Sequence, residues 1–446
     1  MSKTNNIITR FAPSPTGFLH IGGARSALFN YLYTKQKGGK ILLRIEDTDL
    51  ERNKEEFTEG ILRAFEWLDL KFDETKKQSD NFPIHRKYLE KLIENGHAYF
   101  SKEEVLEESQ RDEVIRFKNP NKIITFTDLI RGEVSVDTTD LGDFVIAKSL
   151  DEPVFHLSNV VDDILMNVTH IIRGEEHLAN TPRQILIWEA IGERERATYA
   201  HIPLILSETK EKLSKRKHGE IVSVEHYKNN GYLKEAFINF LAFLGWNPGG
   251  EREIYSLEEL ISKFDIERVQ KGGAVFNIEK LNWFNKEYIK LQSEAEQLEY
   301  LKKYLPESEK YTSVMLEKLR PILVDRLSYY GELKKMKEDG ELDFYLNAPV
   351  YNNPSEIIWK KSDKDNAVIN LNLIKNILAE SKEIEECWEE IYKLAEEKGK
   401  GDILWPLRYV LSGKDKSPDP KSLLNILGKE ESLLRIDNAL KALVNF

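Results

Sequence analysis

The sequence predicts an α/β protein with a parallel sheet, an inserted α+β domain and an all-helical C-terminal half. Apolar runs alternate with helical periodicity near the N-terminus, a Lys- and Glu-rich stretch with β-like pieces interrupts them, and helical periodicity dominates from about residue 291. At 446 residues the chain is too long for one ordinary hydrophobic core. We therefore expect several domains.

The alternation begins with IITRFAPS, which is predicted to be a short buried strand bounded by Pro13 and Pro15. KILLRIED, with four aliphatic residues between Ile41 and Ile45, is typical of a buried parallel strand. Helical spacing follows each strand, in Ala24, Ala27, Leu28, Tyr31 and Leu32 and then in Phe57, Ile61, Leu62, Phe65 and Leu68. This order predicts a right-handed, Rossmann-type sheet that binds ligands at the carboxyl ends of its strands.

Residues 73–151 break the alternation and contain the β-like pieces IITFTDLI and GDFVIAKS, so we interpret them as a domain inserted between residues 1–72 and 152–206 of the Rossmann-type domain. The alternation resumes with FHLSNVVDDILM, the strand VTHIIRG and a helix whose cap and first turn would be Thr181 and Pro182. Residues 207–290 are predicted to be helical, most clearly in HYKNNGYLKEAFINFLAFLGW, and residues 291–446 almost wholly so.

Composition limits the classes of protein. No stretch approaches the ~20 apolar residues of a membrane helix, and the N-terminus lacks the pattern of a secretory signal, so we expect a cytoplasmic protein without membrane contact. The single cysteine, Cys387, excludes an intramolecular disulfide and a multi-cysteine zinc site. The net charge of −11 argues against nonspecific binding to polyanions, so any nucleic-acid surface must be local.

The first candidate site is RFAPSPTGFLHIGG, residues 10–23, between the first strand and the first helix. Gly22 and Gly23 lack a Cβ and would let a purine lie close to the backbone, while the helix N-terminus offers N–H groups to phosphate. His20 can donate a hydrogen bond to phosphate oxygens as charge shifts during attack on the α-phosphorus. The alternative is a simple turn with a capping histidine.

The second candidate site is KLSKRK, residues 212–217, within a segment of nine residues that holds five basic side chains. Its charged and small neighbours predict a mobile surface loop that could close over a ligand. Ammonium groups of Lys212 and Lys215 could then stabilise the charge that develops on departing pyrophosphate. The alternative is a solvated basic face.

PSPTGFLHIGG and KLSKR resemble the HIGH and KMSKS signatures of class I aminoacyl-tRNA synthetases. The segments RFAPSPTG, RIEDTD, NVVDD and IIRGEEHLANTP are similar to the glutamyl-tRNA synthetase branch, over essentially the whole chain. The resemblance implies ATP brought with Mg²⁺, L-glutamate and tRNA(Glu) as substrates; we also expect a monomer.

The resemblance also implies roles for single residues. His20 and Lys212 join Lys215 as catalytic residues, and the same three, with Gly22 and Gly23, are expected at the ATP site. Arg10 and Arg173 would hold the two carboxylates of glutamate, as planar guanidiniums can, and Glu46 would face its ammonium group. Polar contacts to glutamate are expected from Ser14 and Asn159.

This chain departs from the family pattern at several positions. Phe155 replaces a common tyrosine and His177 a tryptophan, so their roles stay open, and Leu213 and Arg216 replace two residues of the KMSKS signature. The inserted segment has no cysteine cluster, so we expect no zinc and no other protein-bound metal.

Among the family's tRNA contacts, the insertion binds the acceptor end, the helical unit after the KMSKS loop touches the inner corner, and the C-terminal helices read the anticodon. WPLRYVLSG resembles the segment that inspects the third anticodon base, which places Arg408 in that role and predicts a discriminating enzyme. An enzyme that also charges tRNA(Gln) and a catalytically silent tRNA-binding paralogue are the alternatives. Three other enzymes fit less well. The helical C-terminal half argues against a glutaminyl-tRNA synthetase and against a small nucleotidyltransferase. The length argues against a shorter enzyme that glutamylates a tRNA base.

Overall fold

The computed structural model describes residues 7–49, 52–103, 112–193, 195–306 and 311–446, apart from the side chains of Lys215 and Arg216. The chain forms two compact units, Met1–Tyr288 and Ile289–Phe446. The first unit contains β1 (Ile8–Phe11), α1 (Ile21–Gln36), β2 (Lys40–Ile45), α2 (Glu55–Leu68), β3 (Glu74–Lys77), α3 (Phe82–Glu94), β4 (Ala98–Lys102), β5 (Glu113–Phe117), β6 (Ile123–Asp128), β7 (Gly132–Asp137), β8 (Phe144–Ser149), β9 (Glu152–Pro153), α4 (Phe155–Leu165), β10 (His170–Gly174), α5 (Thr181–Ile191), β11 (Thr198–Ile202), β12 (Ile205–Leu206), α6 (Lys215–His218), α7 (Val224–Asn229), α8 (Lys234–Phe243), α9 (Leu257–Lys263), β13 (Ala274–Val275) and most of α10 (Ile278–Leu291).

A parallel sheet forms the centre of the first unit, which confirms the predicted fold class. β2 pairs with β1 and β3, and β10 pairs with β11, all in parallel. β10 lies beside β1, where the Thr169 N–H donates to the Ile8 carbonyl at 2.9 Å. The spatial order is therefore β3-β2-β1-β10-β11, with the switch of direction at β1 and β10. Ligands bind such sheets at the carboxyl ends of the strands beside this switch.

The segment predicted as the insertion divides between two sheets. β4, β5, β8 and β9 form an antiparallel sheet, whereas the β6–β7 hairpin joins the parallel sheet through the pair Asp128–Tyr199. β3, just after the expected boundary at residue 72, pairs with β2. Its sequence, ETKK, has no apolar residue and all four residues are exposed, so no hydrophobic pattern marked it as a strand. The predicted domain boundaries stay predictions.

Three local expectations differ from the structure. The N-cap of α5 is Asn180 rather than Thr181, because a 3₁₀ turn over Glu175–Asn180 runs directly into the helix. Leu62 of α2 is 42% exposed, beyond the edge of the buried stripe. HYKNNGYLKEAFINFLAFLGW forms two helices, α7 and α8, which are interrupted near Gly231, where φ is +74°.

The second unit contains the end of α10 and α11 (Glu294–Tyr304), α12 (Ser313–Arg326), α13 (Glu332–Glu338), α14 (Asp343–Leu346), α15 (Lys364–Glu380), α16 (Ile384–Lys398), α17 (Lys400–Ser412) and α18 (Pro420–Val444). It has no strand in the part that the structure describes, as the sequence predicted. The side chain of Arg435 lies buried among α14, α17 and α18, with Nη1 donating to the carbonyls of Phe344 and Leu411 and Nε to Glu431. These bonds satisfy a guanidinium that would otherwise be costly to bury.

Candidate active site

A buried ion-pair cluster lies at the carboxyl ends of β1 and β2. Arg10 of β1 donates from Nε to Oδ1 of Asp163 on α4 at 3.0 Å, and Arg44 of β2 donates from Nη1 to the same oxygen at 2.6 Å. All three side chains are at most 4% exposed. Burial alone would raise the pKa of Asp163, but the two guanidiniums hold that pKa below its ordinary value. Asp163 therefore anchors both arginines as a carboxylate.

Glu46, at the end of β2, extends this cluster. Its Oε1 accepts from Arg44 Nη2 at 3.0 Å and from Asn159 Nδ2 at 2.9 Å. Asn159 in turn accepts from Gln184 Nε2 of α5 at 3.2 Å, which fixes the direction of its amide. The sequence predicted Glu46 and Asn159 as site residues, and the structure brings them into direct contact.

Arg173, at the end of β10, is a further buried arginine at this edge of the sheet. Nε donates to Nε2 of His201 on β11 at 3.3 Å, and Nη2 donates to Oγ1 of Thr181 at 2.9 Å. Nη1 is buried and has no hydrogen-bond partner among the described residues. Burial, followed by repulsion from Arg10, lowers the pKa of Arg173 to about 10. It stays protonated at neutral pH, with one donor edge unsatisfied.

These residues line a cavity of about 350 Å³. Arg10, Ser14, Glu46, Asn159 and Arg173, the five predicted glutamate contacts, all lie on its wall. The polar groups lie deep, whereas Ser14 is exposed in the loop after β1. The size and convergent polar groups suit a small polar ligand.

Phe155 and His177 form an aromatic wall of the same cavity. Their ring centroids are 5.6 Å apart with an interplanar angle of 35°. Burial, followed by repulsion from Arg173 and Arg10, lowers the pKa of His177 to about 3. Both residues therefore present neutral rings to the cavity at neutral pH.

His20 is the N-cap of α1. Its Nδ1 accepts from the Gly22 N–H at 3.0 Å, so the neutral ring carries its proton on Nε2. Burial, followed by repulsion from Lys212, lowers the pKa of His20 below its ordinary value. The capping interpretation is thus correct, and Nε2 also remains as a donor, so the two interpretations of this histidine are compatible.

The two glycines after His20 have tight surroundings. A Cβ on Gly22 would lie 3.3 Å from Nδ1 of His20, and a Cβ on Gly23 would lie 3.2 Å from Leu19 Cδ1. Contacts within the protein therefore leave little room for a side chain at either position, whether or not a ligand is bound.

A second cavity of about 340 Å³ adjoins the first. Both are lined by His20, Gly22, Gly23, Ser26, Gly174 and Glu176. Lys212, Leu213 and Ser214 line the second cavity, as do Pro203 to Ile205. The two candidate motifs, 192 residues apart at His20 and Lys212, thus meet around one cleft.

The loop of the second motif is held by backbone hydrogen bonds. The Ser207 N–H donates to Glu211 O at 2.8 Å and the Leu213 N–H to Ile205 O at 3.0 Å, and the Leu213 side chain is buried. Lys212 is exposed at the cavity rim. The predicted role of Lys215 falls on a side chain outside the described residues. The mobility of the loop stays a prediction.

The sequence indicated no role at the site for several buried residues that support it. Arg44, Asp163, Gln184, Thr181 and His201 all contact a predicted ligand residue. Arg44 and Asp163 lie in the segments RIEDTD and NVVDD. A charged residue within an element that is otherwise predicted to be buried is the sequence feature that could have identified them as site residues.

Arg408, in the second unit, lies on α17. Its guanidinium carbon is 4.9 Å from the centre of the Trp405 ring, and Nη2 donates to the Asp415 carbonyl at 2.7 Å. Trp405 donates in turn to the Glu356 carbonyl at 3.1 Å. Arg408 is therefore held by its neighbours, half-buried, on this helix.

The described residues contain no group of three or more His, Cys, Asp and Glu side chains placed to hold a metal ion. No helix among them is long and apolar enough to cross a membrane.

The chain matches two known protein families. Residues 6–113 and 101–283 match the family described as tRNA synthetases class I (E and Q), catalytic domain. Residues 294–440 match the family described as anticodon binding domain.

Similar proteins cover nearly the whole chain. The glutamate–tRNA ligase of Carboxydothermus hydrogenoformans is 38% identical, across 96% of this chain and 98% of that protein. Glutamate–tRNA ligase 1 of Helicobacter pylori strain HPAG1 is 39% identical, across 98% and 99%. The crystal structure of a glutamate tRNA ligase from Elizabethkingia meningosepticum in complex with its amino acid superposes with a TM-score of 0.88 at 33% identity, across 98% of this chain and 100% of that one.

Proposed function

Since this chain belongs to the glutamate–tRNA ligases of class I, we propose that it charges tRNA(Glu) selectively and that the cleft between its two motifs performs the reaction. The enzyme joins glutamate to tRNA at the expense of ATP.

The observation that carries the glutamate site is the buried arginine cluster. Arg10 and Arg44 pair with the carboxylates of Asp163 and Glu46, whereas Arg173 makes no ion pair among the described residues and its buried Nη1 has no hydrogen-bond partner. Glutamate has two carboxylates, one of which can supply the missing partner of Arg173. A buried charge without a partner is costly, so the cluster favours an anionic ligand.

Within this site, Arg10 and Arg173 hold the carboxylates, because guanidiniums form paired hydrogen bonds with carboxylate oxygens. Glu46, already oriented by two donors to Oε1, faces the ammonium group. Asn159 and Ser14 supply polar contacts from α4 and from the loop after β1. Phe155 and His177 shape the wall without adding charge.

ATP, with Mg²⁺ as part of the substrate complex, occupies the adjoining second cavity. Gly22 and Gly23 lie against the nucleotide at the N-terminus of α1, where the helix dipole favours phosphate. We assign the contacts with the phosphates to Lys212, in the loop after β12, and to Lys215, the first residue of α6. The two cavities share the wall at His20, so glutamate and the α-phosphorus meet beside this residue.

The reaction then needs no protein nucleophile. A carboxylate oxygen of glutamate attacks the α-phosphorus, a new C–O–P bond forms, and pyrophosphate leaves with the electron pair of the broken P–O bond. His20 donates from Nε2 to the phosphate oxygens, and the two lysines stabilise the charge on pyrophosphate. A terminal ribose hydroxyl of tRNA next attacks the activated carbonyl and passes its proton to the phosphate of the adenylate, and AMP leaves with the electron pair of the broken C–O bond. Positioning and electrostatics supply the catalysis.

The tRNA contacts follow the domain order. The inserted segment binds the acceptor end, the helices of residues 207–290 contact the inner corner, and the second unit binds the anticodon. Arg408 reads the third anticodon base and gives the enzyme its preference for tRNA(Glu) over tRNA(Gln). We further propose a monomeric, cytoplasmic enzyme.

Charging assays test this proposal. Purified tRNA(Glu) and tRNA(Gln) are each incubated with the enzyme, ATP and either glutamate or glutamine. We expect efficient charging only of tRNA(Glu) with glutamate. Comparable charging of tRNA(Gln) with glutamate would show a non-discriminating enzyme, and no charging of either tRNA would show a silent paralogue.

A further inference from the structure

A chain of buried hydrogen bonds runs from Asp128 to Arg173. Oδ2 of Asp128 lies 2.6 Å from Nδ1 of His201 and also accepts the His201 backbone N–H at 3.0 Å. Nε2 of His201 lies 3.3 Å from Nε of Arg173. Both members of the Asp128–His201 pair have fully buried side chains.

The chemistry of the two ends fixes the tautomer of His201. Arginine can only donate, so Nε2 of His201 must accept, and a carboxylate can only accept, so Nδ1 must donate. Burial lowers the pKa of His201 below its ordinary value, although Asp128 opposes this shift, so the ring is neutral at neutral pH. Thr181 completes the arrangement, since Oγ1 accepts from Arg173 Nη2 at 2.9 Å and lies 3.0 Å from His201 Nε2.

Asp128 is itself held firmly. Its Oδ1 accepts the backbone N–H groups of Ile130 and Arg131, each at 2.9 Å, in the turn between β6 and β7. All four hydrogen bonds to this carboxylate thus come from N–H donors. An oriented acceptor of this kind sets which histidine nitrogen carries the proton.

We infer that Asp128 and His201 are positioning residues for glutamate: together they hold Arg173 so that its unsatisfied Nη1 edge is available to a substrate carboxylate. The inference rests on the proposed role of Arg173 and deepens it. Asp128 ends β6, in the segment predicted to bind the acceptor end, so the chain of bonds joins that segment to the amino acid site.

Asp128→Asn tests the tautomer directly. Asparagine keeps its oxygen toward the two turn amides, because an NH₂ there would face two donors, whereas on the other side it faces one backbone donor, the His201 N–H. Its NH₂ then points to Nδ1 of His201 and selects the tautomer with the proton on Nε2, which faces the Nε–H of Arg173. Similar Asp-to-Asn changes beside a histidine disturb function through the wrong tautomer.

We expect Asp128→Asn to raise the KM for glutamate about tenfold, the effect of losing one oriented hydrogen bond to a charged group. The KM for ATP should stay within about twofold, because the second cavity does not involve Arg173. Thr125→Val is the matched control: it removes the Thr125–Ser135 bond at 2.8 Å on the same hairpin, without contact to His201. Both KM values should remain near wild type in this control.

A double-mutant cycle separates positioning from general destabilisation. In His201→Gln, the amide oxygen can replace Nε2 as the acceptor for Arg173 and has no tautomer to select. We expect this variant to retain a KM for glutamate within about threefold of wild type, and Asp128→Asn added to it to cause little further change. A full tenfold effect of Asp128→Asn in the His201→Gln background would overturn the inference.

If Asp128→Asn does not fold, His201→Leu and His201→Gln still decide the question. His201→Leu removes the acceptor, and we expect a rise in the KM for glutamate at least threefold larger than in His201→Gln. Equal rises would contradict the inference.

Arg173→Lys distinguishes this inference from the site on which it rests. A strong rise in the KM for glutamate in Arg173→Lys, with none in Asp128→Asn or His201→Leu, would overturn the positioning role alone. No effect of Arg173→Lys would remove the proposed glutamate site as well.

Discussion

Replacing Arg10 by lysine separates the two tasks that we assign to this residue. Its Nε bonds to Asp163 at 3.0 Å, and the rest of its guanidinium is proposed to bind a carboxylate of glutamate. A lysine has a single ammonium group and cannot form a paired contact with a carboxylate. In Arg10→Lys, the ammonium must therefore serve either Asp163 or the substrate.

The expected size of the effect follows from this loss. A hydrogen bond to a charged group contributes about 1.5–3 kcal/mol, which corresponds to a rise of about 10- to 100-fold in the KM for glutamate. The value of kcat should change little if the contact is the same in the ground state and the transition state. Asp163 keeps its 2.6 Å bond from Arg44, so the variant should remain folded.

The assay is tRNA charging at saturating ATP and tRNA(Glu), with glutamate varied, followed by a separate titration of ATP. Arg63→Lys is the matched control, because Arg63 is exposed on α2 and pairs only with Glu59 within the same helix in the described contacts. A folded Arg10→Lys enzyme with a KM for glutamate within twofold of wild type would refute the assignment. An equal rise in the KM for ATP would refute it too.

Four further changes have distinct expected outcomes. His20→Asn keeps a side-chain acceptor at the N-cap of α1 but removes the Nε2–H, so kcat should fall about 100-fold or more while the melting temperature, measured by circular dichroism, stays nearly constant. Lys215→Ala should lower the rate of adenylate formation far more than tRNA affinity, and equal losses in both assays would end its assignment to the transition state. Arg408→Gln should loosen the choice between tRNA(Glu) and tRNA(Gln), with an unchanged ratio of charging efficiencies as the contrary result. Folding lowers the pKa of His177 from 6.5 to about 3, so between these values only the unfolded chain takes up a proton. The contribution of neutral His177 to the free energy of unfolding is therefore fully present above pH 6.5 and is lost as the pH falls below it. In denaturant titrations from pH 7 to 5, His177→Phe should lose less free energy of unfolding than wild type, by up to ~1.4 kcal/mol per pH unit.

The sequence predicted the elements that carry a clear apolar pattern. β2 and β10 contain short aliphatic runs, and α1 has apolar residues at helical spacing, although the helix is buried on most of its surface. Their carboxyl ends had to carry the site because a parallel sheet brings these ends together. Arg10, Glu46 and Arg173 were assigned through the resemblance to the family, and the sheet rule explains why residues at or just after strand ends meet at one site.

The supporting residues could not be found in this way. Arg44 and Asp163 are 119 positions apart, and Asp128 and His201 are 73 apart, so each pair forms only once the strands are in place. β3 and β6 were assigned to the insertion because their sequences carry no sign of their partner strand. A single pair, Asp128 with Tyr199, brings β6 to the parallel sheet.

The most direct test of the account is a crystal structure of the enzyme with a non-hydrolysable analogue of glutamyl-adenylate. We expect the analogue to span both cavities, with its free carboxylate on one of the two arginines, Arg10 and Arg173, and its acyl group beside the other, its ammonium group beside Glu46, and its adenosine next to Gly22 and Gly23. An analogue bound elsewhere, or one whose carboxylate lies away from both arginines, would contradict the account.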